Sequence, residues 1–166
     1  SSTYDALGRN LSEATSLATR SGTYDERGNR LTYKDWSANV WHYTYNSQNL
    51  LASVTDPLGN VTSLSYDGNG NKMTKTDALG NVTSYTYDAM NRLLTKTDAL
   101  GNVVSYTYDA KGNKTSETDA NGNTTTFTYD LMDRMHVGAN ALGNTITKAY
   151  DYASGTFTSR TDANGN

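Results

Sequence analysis

Cysteine is absent from the 166 residues, which excludes disulfide frameworks, thiolate zinc sites and cysteine nucleophiles. Proline occurs once, at Pro57, so the chain is not a Pro-rich linker. No apolar run approaches the roughly 20 residues a membrane-spanning helix needs. The N-terminal stretch SSTYDALGRN lacks the charged-then-apolar layout of a signal peptide. Basic charge is not in excess either: 14 Lys and Arg stand against 17 Asp and Glu, a formal net charge of −3. That balance argues against a general nucleic-acid binder. Large apolar side chains are scarce, with Leu, Ile, Val and Phe making up about one residue in seven. Such poverty signals disorder only when net charge is also high, and here it is low.

The chain has instead 13 Tyr, 2 Trp and abundant Thr, residues that fit a pleated, half-buried surface. They point to a folded β protein with a thin apolar core. An internal repeat sets the architecture. Tyr24, Tyr45, Tyr66, Tyr87, Tyr108, Tyr129 and Tyr150 recur at a constant spacing of 21, and all but Tyr45 precede Asp. Asp35, Asp56, Asp77, Asp98 and Asp119 keep the same step, with Asn140 next; Asn39, Asn60, Asn81, Asn102, Asn123 and Asn144 form a third column.

One unit reads from Asp77 to Thr97. Asp77-Ala78-Leu79-Gly80-Asn81 is a turn, because Asp starts turns and Gly and Asn tolerate positive φ. Gly59, Gly80, Gly101, Gly122 and Gly143 keep this place. Val82 to Tyr87 alternates as a strand does, with Thr83, Tyr85 and Tyr87 on one face and Val82, Ser84 and Thr86 on the other. A second turn at Asp88 leads into a second strand from Leu93 to Thr97. The expected fold is all-β: tandem 21-residue β-hairpin repeats forming a curved antiparallel strip. Tyr43, Leu64, Tyr85, Tyr106 and Phe127 fill one column, and their rings are expected to stack between successive units. The second-strand column Arg30, Leu51, Lys72, Leu93, Lys114, Met135 has no fixed character.

The ends deviate. Tyr4 precedes Tyr24 by 20 residues rather than 21, and the stretch from Tyr150 to Asp162 is one residue longer than its counterpart from Tyr87 to Asp98. Residues 1–22 therefore read as a degenerate N-terminal repeat and 23–166 as an array of about seven repeats. A bulge or longer loop is expected near Ala153–Gly155. With no capping sequence after Asp162, the chain is expected to be a segment of a longer protein.

Three motifs carry the family resemblance: Tyr87-Asp88-Ala89-Met90-Asn91-Arg92-Leu93, Tyr24-Asp25-Glu26-Arg27-Gly28-Asn29-Arg30-Leu31, and Asp98-Ala99-Leu100-Gly101-Asn102. On these residues the chain resembles the Rhs/YD-repeat family, which includes Rhs polymorphic toxins, the B and C components of bacterial Tc toxins, and the teneurins. The resemblance implies a long sheet that spirals into a shell, enclosing a C-terminal toxin in bacterial members. It also implies a bacterial, secreted or cell-surface protein whose partners are the remaining repeats and that toxin. Asp56-Pro57-Leu58-Gly59 looks like the Asp-Pro-x-Gly signature of the family's self-cleaving aspartyl protease. It stands in phase with Asp77-Ala78-Leu79-Gly80, however, and reads as an ordinary turn.

No catalytic group is expected. His42 and His136 lie 94 residues apart in different columns, and neither spacing gives a base oriented toward a nucleophile. Asp67-Gly68-Asn69-Gly70-Asn71 and Asp119-Ala120-Asn121-Gly122-Asn123 place oxygen ligands at alternate positions, as calcium loops do. The same column holds Leu79, Leu100 and Leu142 elsewhere, so turns are expected there, with no metal and no cofactor. Trp36, Trp41 and Tyr43 make the most aromatic unit and the best candidate partner surface, with a glycan as the alternative ligand. The expected role is structural, a shell segment rather than an enzyme, with edge-to-edge self-association through open strands.

Overall fold

The computed structural model describes residues 1–151 and 154–162. Among them are sixteen strands and no helix. Each strand pairs antiparallel with its neighbours in sequence, giving one open sheet in the order β1 to β16. The chain divides into two units, 1–84 and 85–166, the division falling within β9 (Val82–Tyr87). The first unit carries β1 (Ser2–Tyr4), β2 (Asn10–Ala14), β3 (Thr19–Tyr24), β4 (Arg30–Lys34), β5 (Val40–Tyr45), β6 (Leu51–Thr55), β7 (Val61–Tyr66) and β8 (Lys72–Thr76). The second carries β10 (Leu93–Thr97), β11 (Val103–Tyr108), β12 (Lys114–Thr118), β13 (Thr124–Tyr129), β14 (Met135–Ala139), β15 (Thr145–Tyr150) and β16 (Phe157–Thr161). From β2 onward, five-residue strands thus alternate with six-residue strands ending in Tyr.

The turns form two series. Tyr-side turns follow each recurrent Tyr, and Leu-side turns follow each five-residue strand. Both close in the same way. In a Leu-side turn the Asp77 N–H donates to the Asn81 carbonyl and the Gly80 N–H to the Asp77 carbonyl, each at 3.0 Å. In a Tyr-side turn Asp109 and Gly112 repeat this with Asn113, at 3.0 and 3.1 Å.

The departures from the 21-residue period are absorbed by turns. The turn between β2 and β3 is one residue shorter, the Thr15 N–H reaching the Ala18 carbonyl at 2.9 Å, which accounts for the 20-residue step from Tyr4 to Tyr24. The turn after β15 is one residue longer, the Asp151 N–H reaching the Thr156 carbonyl at 2.9 Å. Of the longer loop expected at 153–155, Gly155 is left-handed, with φ of 72°, and Ala153 lies outside the described residues.

A slip in register recurs at the Tyr-side hairpins. Thr23 pairs with Thr32 but Tyr24 pairs with Arg30, which leaves Leu31 as a bulge. The same slip occurs at Tyr4, Tyr45, Tyr66, Tyr108, Tyr129 and Tyr150. The five-residue strands accordingly pair over three residues on their Leu-side partner, as in Thr32 with His42, Tyr33 with Trp41 and Lys34 with Val40.

Two expectations are corrected. No described residue is buried, polar or apolar, so there is no apolar core. Each unit is a single layer whose side chains are covered only by neighbours within the sheet. Nor does the register let the column Tyr43, Leu64, Tyr85, Tyr106, Phe127 stack ring on ring from unit to unit. Twenty-one residues advance the chain by two strands, about 9.6 Å, beyond the roughly 7 Å limit of a ring pair. Val54 lies opposite Tyr43, Lys75 opposite Leu64, Glu117 opposite Tyr106 and Gly138 opposite Phe127. Ring contacts form between adjacent strands, as where Tyr33 meets Trp41 at 5.6 Å and Tyr150 meets Phe157 at 6.0 Å.

The opposite face is a ladder of hydroxyls. Thr3 pairs with Ser12, Thr23 with Thr32, Thr44 with Ser53, Ser65 with Thr74, Thr86 with Thr95 and Thr107 with Ser116, at side-chain oxygen separations of 2.6–2.8 Å. Cross-strand Thr and Ser pairs each contribute about 0.2–1 kcal/mol. In a sheet without a core these contributions are distributed, unit by unit and neighbour by neighbour.

Candidate functional site: the tyrosine seam and its turns

The recurrent Tyr residues occupy the place where the ladder fails. Beyond the bulge a five-residue strand has no backbone partner on its Leu-side neighbour, and the first carbonyl of that strand would be left open. The Tyr of the next repeat fills this position. Tyr45 Oη donates to the Arg30 carbonyl at 3.1 Å, Tyr66 to Leu51 at 2.9 Å, Tyr108 to Leu93 at 2.9 Å, Tyr129 to Lys114 at 2.8 Å and Tyr150 to Met135 at 3.1 Å. The accepting group is a backbone oxygen, which explains why that column has no fixed side chain. Tyr87 holds the same column on β9. Tyr24 follows the shortened turn, and its hydroxyl lies 3.4 Å from Arg30 Nη2.

Arginine reinforces the seam wherever it is the fifth residue of a Tyr-side turn. Arg92 Nε donates to Asp88 Oδ2 at 2.6 Å, its Nη1 donates to the Asp109 carbonyl at 2.9 Å, and its guanidinium lies 4.7 Å from the Tyr108 ring centre. Arg9 spans the same groups, from Asp5 to the Asp25 carbonyl and the Tyr24 ring. Arg134 joins Asp130 and sits 4.5 Å from the Tyr150 ring. A guanidinium suits this task because its planar fork binds a carboxylate while its face covers an aromatic ring. Asparagine at the same position bonds sideways: Asn29 to the Asn49 side chain, and Asn113 to Asp133 Oδ1 at 3.1 Å. Gln48 Nε2 donates to the Asp67 and Gly68 carbonyls at 3.2 and 3.0 Å, and Lys111 Nζ lies 2.8 Å from Asp133. Successive Tyr-side turns are thus stitched together by polar contacts.

The Asp columns serve the turns. Asp119 Oδ1 accepts from the Asn121 and Asn123 N–H groups at 2.9 Å, and its Oδ2 accepts from Asn123 Nδ2 at 3.0 Å. Asp56 does the same with Leu58 and Asn60, which places Asp56-Pro57-Leu58-Gly59 among the ordinary turns. Asp67 makes the equivalent bonds to Asn69 and Asn71. In both calcium-like stretches the carboxylate oxygens point into their own turns. Asn81 Nδ2, followed by its N–H, holds the Asp77 carboxyl below its ordinary value, and the Asn102 donors do so for Asp98.

Gly59, Gly80, Gly101, Gly122 and Gly143 lie at φ of 80–85°, and a Cβ at any of them would meet no atom within 4 Å. The left-handed backbone, and not crowding, favours glycine there; Ala38 takes the same place at φ of 65°. Tyr-side turns use Asn49, Asn91 and Asp133 at φ of 60–66° as well, residue types that tolerate this region.

Trp41 and Tyr43 share the tyrosine face of β5, where Trp41 packs on Tyr33. Trp36 stands in the turn that starts at Asp35, 38% exposed, with the Arg20 guanidinium 5.4 Å from its ring. The two histidines are not brought together. His42 sits in the hydroxyl ladder opposite Thr32 and Thr55. His136 occupies the bulge of β14, its Nδ1 3.0 Å from the Lys148 carbonyl oxygen. The use of Arg or Asn at the fifth position of the Tyr-side turns, at Arg9, Asn29, Asn71, Arg92, Asn113 and Arg134 with Leu50 as the exception, was the signal for the seam that sequence reasoning passed over.

Among solved structures the fold resembles the crystal structures of TcdB2-TccC3-Cdc42 (TM-score 0.78) and TcdB2-TccC3 (0.76), and a Photorhabdus luminescens Tc holotoxin pore with mutated TccC3 (0.70). Each is 18% identical in sequence; the alignments cover 96–97% of this chain and 10–11% of the other. The chain thus spans about a tenth of the length of the solved chains it resembles. No curated protein sequence matches it. The RHS repeat family model matches residues 24–61, 45–75, 66–103, 91–124 and 108–140, overlapping stretches that together run from Tyr24 to the end of β14 and contain the seam and both turn series. By its period, its turns and this match over most of its length, the chain belongs to the RHS repeat family.

Proposed function

We propose that the chain is a structural wall segment of an RHS-repeat shell that encloses or delivers a C-terminal toxin of the same polypeptide. One observation carries this reading: among the described residues every strand pairs with its sequence neighbours, and at five repeats a Tyr hydroxyl ties one repeat to the one before it. Adding repeats extends such a wall without any need for a growing core. The role is mechanical and steric: the sheet separates an enclosed polypeptide from proteases until release. Support comes from family membership and from the toxin assemblies whose fold it shares. A bacterial protein, secreted or at the cell surface, accords with this role. Limited proteolysis of the full-length parent, with mass mapping of the fragments, tests it. The segment C-terminal to the array is expected to survive until the array is denatured. Digestion of that segment while the array persists would overturn the reading.

A second reading, an adhesive glycan-binding surface, is favoured by the exposed Trp36 and by the Tyr33 and Trp41 pair, all three on one hairpin. The shell reading expects no saturable binding across a glycan panel. Saturable binding that disappears in Trp41→Ala or Tyr85→Ala would put adhesion in its place.

A further inference from the structure

Three departures from the repeat meet at one place on the tyrosine face of the second unit. The first is Gly138. In steps of 21, its column holds Tyr33, Val54, Lys75, Lys96 and Glu117, so the earlier repeats all set a side chain there. Gly138 is paired in mid-strand, opposite Phe127 on β13 and Ile146 on β15. It is not among the left-handed glycines. A Cβ added to it would meet nothing closer than the edge of the Phe127 ring at 3.7 Å, an ordinary contact. Neither backbone nor crowding therefore calls for glycine. A glycine inside a strand weakens it and often marks the close approach of a ligand. Here it opens a cleft of about 640 Å³ with Phe127, Met135 and Ile146 among its walls, a size that suits a small molecule.

The second departure is Lys148. Its column is otherwise Tyr43, Leu64, Tyr85, Tyr106 and Phe127, with Gly22 at the start, so a cation replaces an apolar or aromatic group. The third is Arg160, directly opposite Lys148 across β15 and β16. Like charges so placed destabilise a strand pair. Neither cation has an ion-pair partner among the described residues. Lys114, whose Nζ lies 5.0 Å from the Phe127 ring, is by contrast paired with Glu117 at 2.6 Å. Lys148 and Arg160 both line the cleft, as does Asp162, which leaves it a net charge of +1. A weakening glycine and a repulsive pair of cations both cost the sheet stability, and they converge where an apolar hollow adjoins positive charge.

We infer that this cleft is a binding site for a small amphipathic carboxylate, a ring-sized apolar group joined to one carboxylate. The apolar group fills the space over Gly138, between Phe127 and Ile146, which lie two strands, about 9.6 Å, apart. The carboxylate lies between Lys148 and Arg160. There the guanidinium fork matches its two oxygens and the ammonium adds a point charge, and the repulsion between the two cations is relieved. One carboxylate balances the net charge of the cleft, whereas a dianionic phosphate exceeds it. Each unit is a single layer, so the cleft stays open to solvent and affinity is modest. Such a site works equally in a wall that encloses a cargo and in one that does not.

Titration of the whole chain with naphthylacetate, followed by calorimetry and by backbone amide NMR shifts, tests it. Saturable binding with a Kd of about 1 mM or tighter is expected, with the shifts centred on Gly138, Ile146 and Lys148. Naphthylacetamide keeps the ring and loses the charge, and is expected to bind at least about tenfold more weakly. Gly138→Val gives this repeat the residue that Val54 supplies elsewhere. It is expected to fill the cleft and weaken binding at least about tenfold, while raising the urea midpoint. Lys148→Leu, which restores the residue of Leu64, is expected to weaken binding about tenfold and also to raise the midpoint, because the facing cations are separated. Lys96→Leu removes a cation that pairs across to Val104, outside the cleft, and is expected to leave binding unchanged. No saturable binding, equal affinity for the acid and the amide, or binding that survives Gly138→Val or Lys148→Leu would overturn the inference. A lower midpoint in Gly138→Val would overturn it as well, since the glycine would then serve the sheet.

Discussion

Lowering the pH from about 6 to about 2 is expected to dissolve the sheet, with loss of stability setting in near 3.8, the ordinary Asp value. The cause is the repeated use of ionised Asp as the acceptor that closes each turn. In Leu-side turns the side-chain amide of Asn81 or Asn102 lowers the pKa of Asp77 or Asp98 most, together with the backbone N–H of the same residue. In the Tyr-side turn at Asp88, the Arg92 N–H acts first and its guanidinium adds to it. A carboxyl whose folded pKa lies below its unfolded one contributes in full above the unfolded value. That contribution is lost as the pH falls through the folded value, because the unfolded chain takes up the proton first. Each turn is solvent-exposed and contributes little alone. The effect accumulates because the motif recurs along the chain and no core opposes it. Asn140 supplies the control: its Oδ1 accepts from Leu142 and Asn144 at 3.0 and 2.9 Å and cannot titrate. Asp77→Asn and Asp98→Asn together should therefore flatten the pH dependence of the urea midpoint. A midpoint that stays constant from about pH 5 to about pH 2.5 would mean that the carboxylates do not hold the turns.

Some of this architecture was legible in the sequence for a physical reason. A period of 21 with one Tyr, one Asp-x-x-Gly-Asn turn and alternating residues between them admits little but a hairpin ribbon. Gly80 and Gly101 announced left-handed turns because other residue types are strained there. The bulge was hidden, since the bulged positions hold Leu31, Met73, Thr115 and His136, which have nothing in common; only the six-five alternation of strand lengths reflects it. The seam was half visible. The Tyr column could be read, but its acceptor is a backbone carbonyl and leaves no mark on the residue that carries it, be it Arg30, Leu93 or Met135. The expectation of stacked rings failed on geometry, because a 21-residue step crosses two strands and puts Lys75 or Glu117 between the columns. The hydroxyl ladder was there to be seen at Thr23, Thr44, Ser65, Thr86 and Thr107, one residue ahead of five of the recurrent Tyr residues.

Arg92→Ala is expected to lower stability by about 2 kcal/mol, the sum of a charge-assisted hydrogen bond and a cation–π contact at a partly exposed site. The residue serves two structures at once: it closes its own turn through Asp88, and it reaches the next repeat through the Asp109 carbonyl and the Tyr108 ring. Asparagine, which stands at the equivalent positions 71 and 113, separates the two contributions. Arg92→Asn restores a donor to Asp88, as Asn113 gives one to Asp109, but cannot cover the ring, so about 1 kcal/mol of the loss should remain. Arg92→Lys should recover little, because an ammonium has no planar fork to divide between a carboxylate and a carbonyl. Combining Arg92→Asn with Tyr108→Phe, which removes the bond to the Leu93 carbonyl, should give less than the sum of the single effects, since both act on one junction. Because repeat arrays open locally, the losses are best read as hydrogen exchange of residues 93–108 alongside urea unfolding. If Arg92→Asn proves as stable as the wild type in both, the ladder and the turns alone join the repeats. The recurrence of Arg at positions 9, 92 and 134 would then have no energetic basis in this junction.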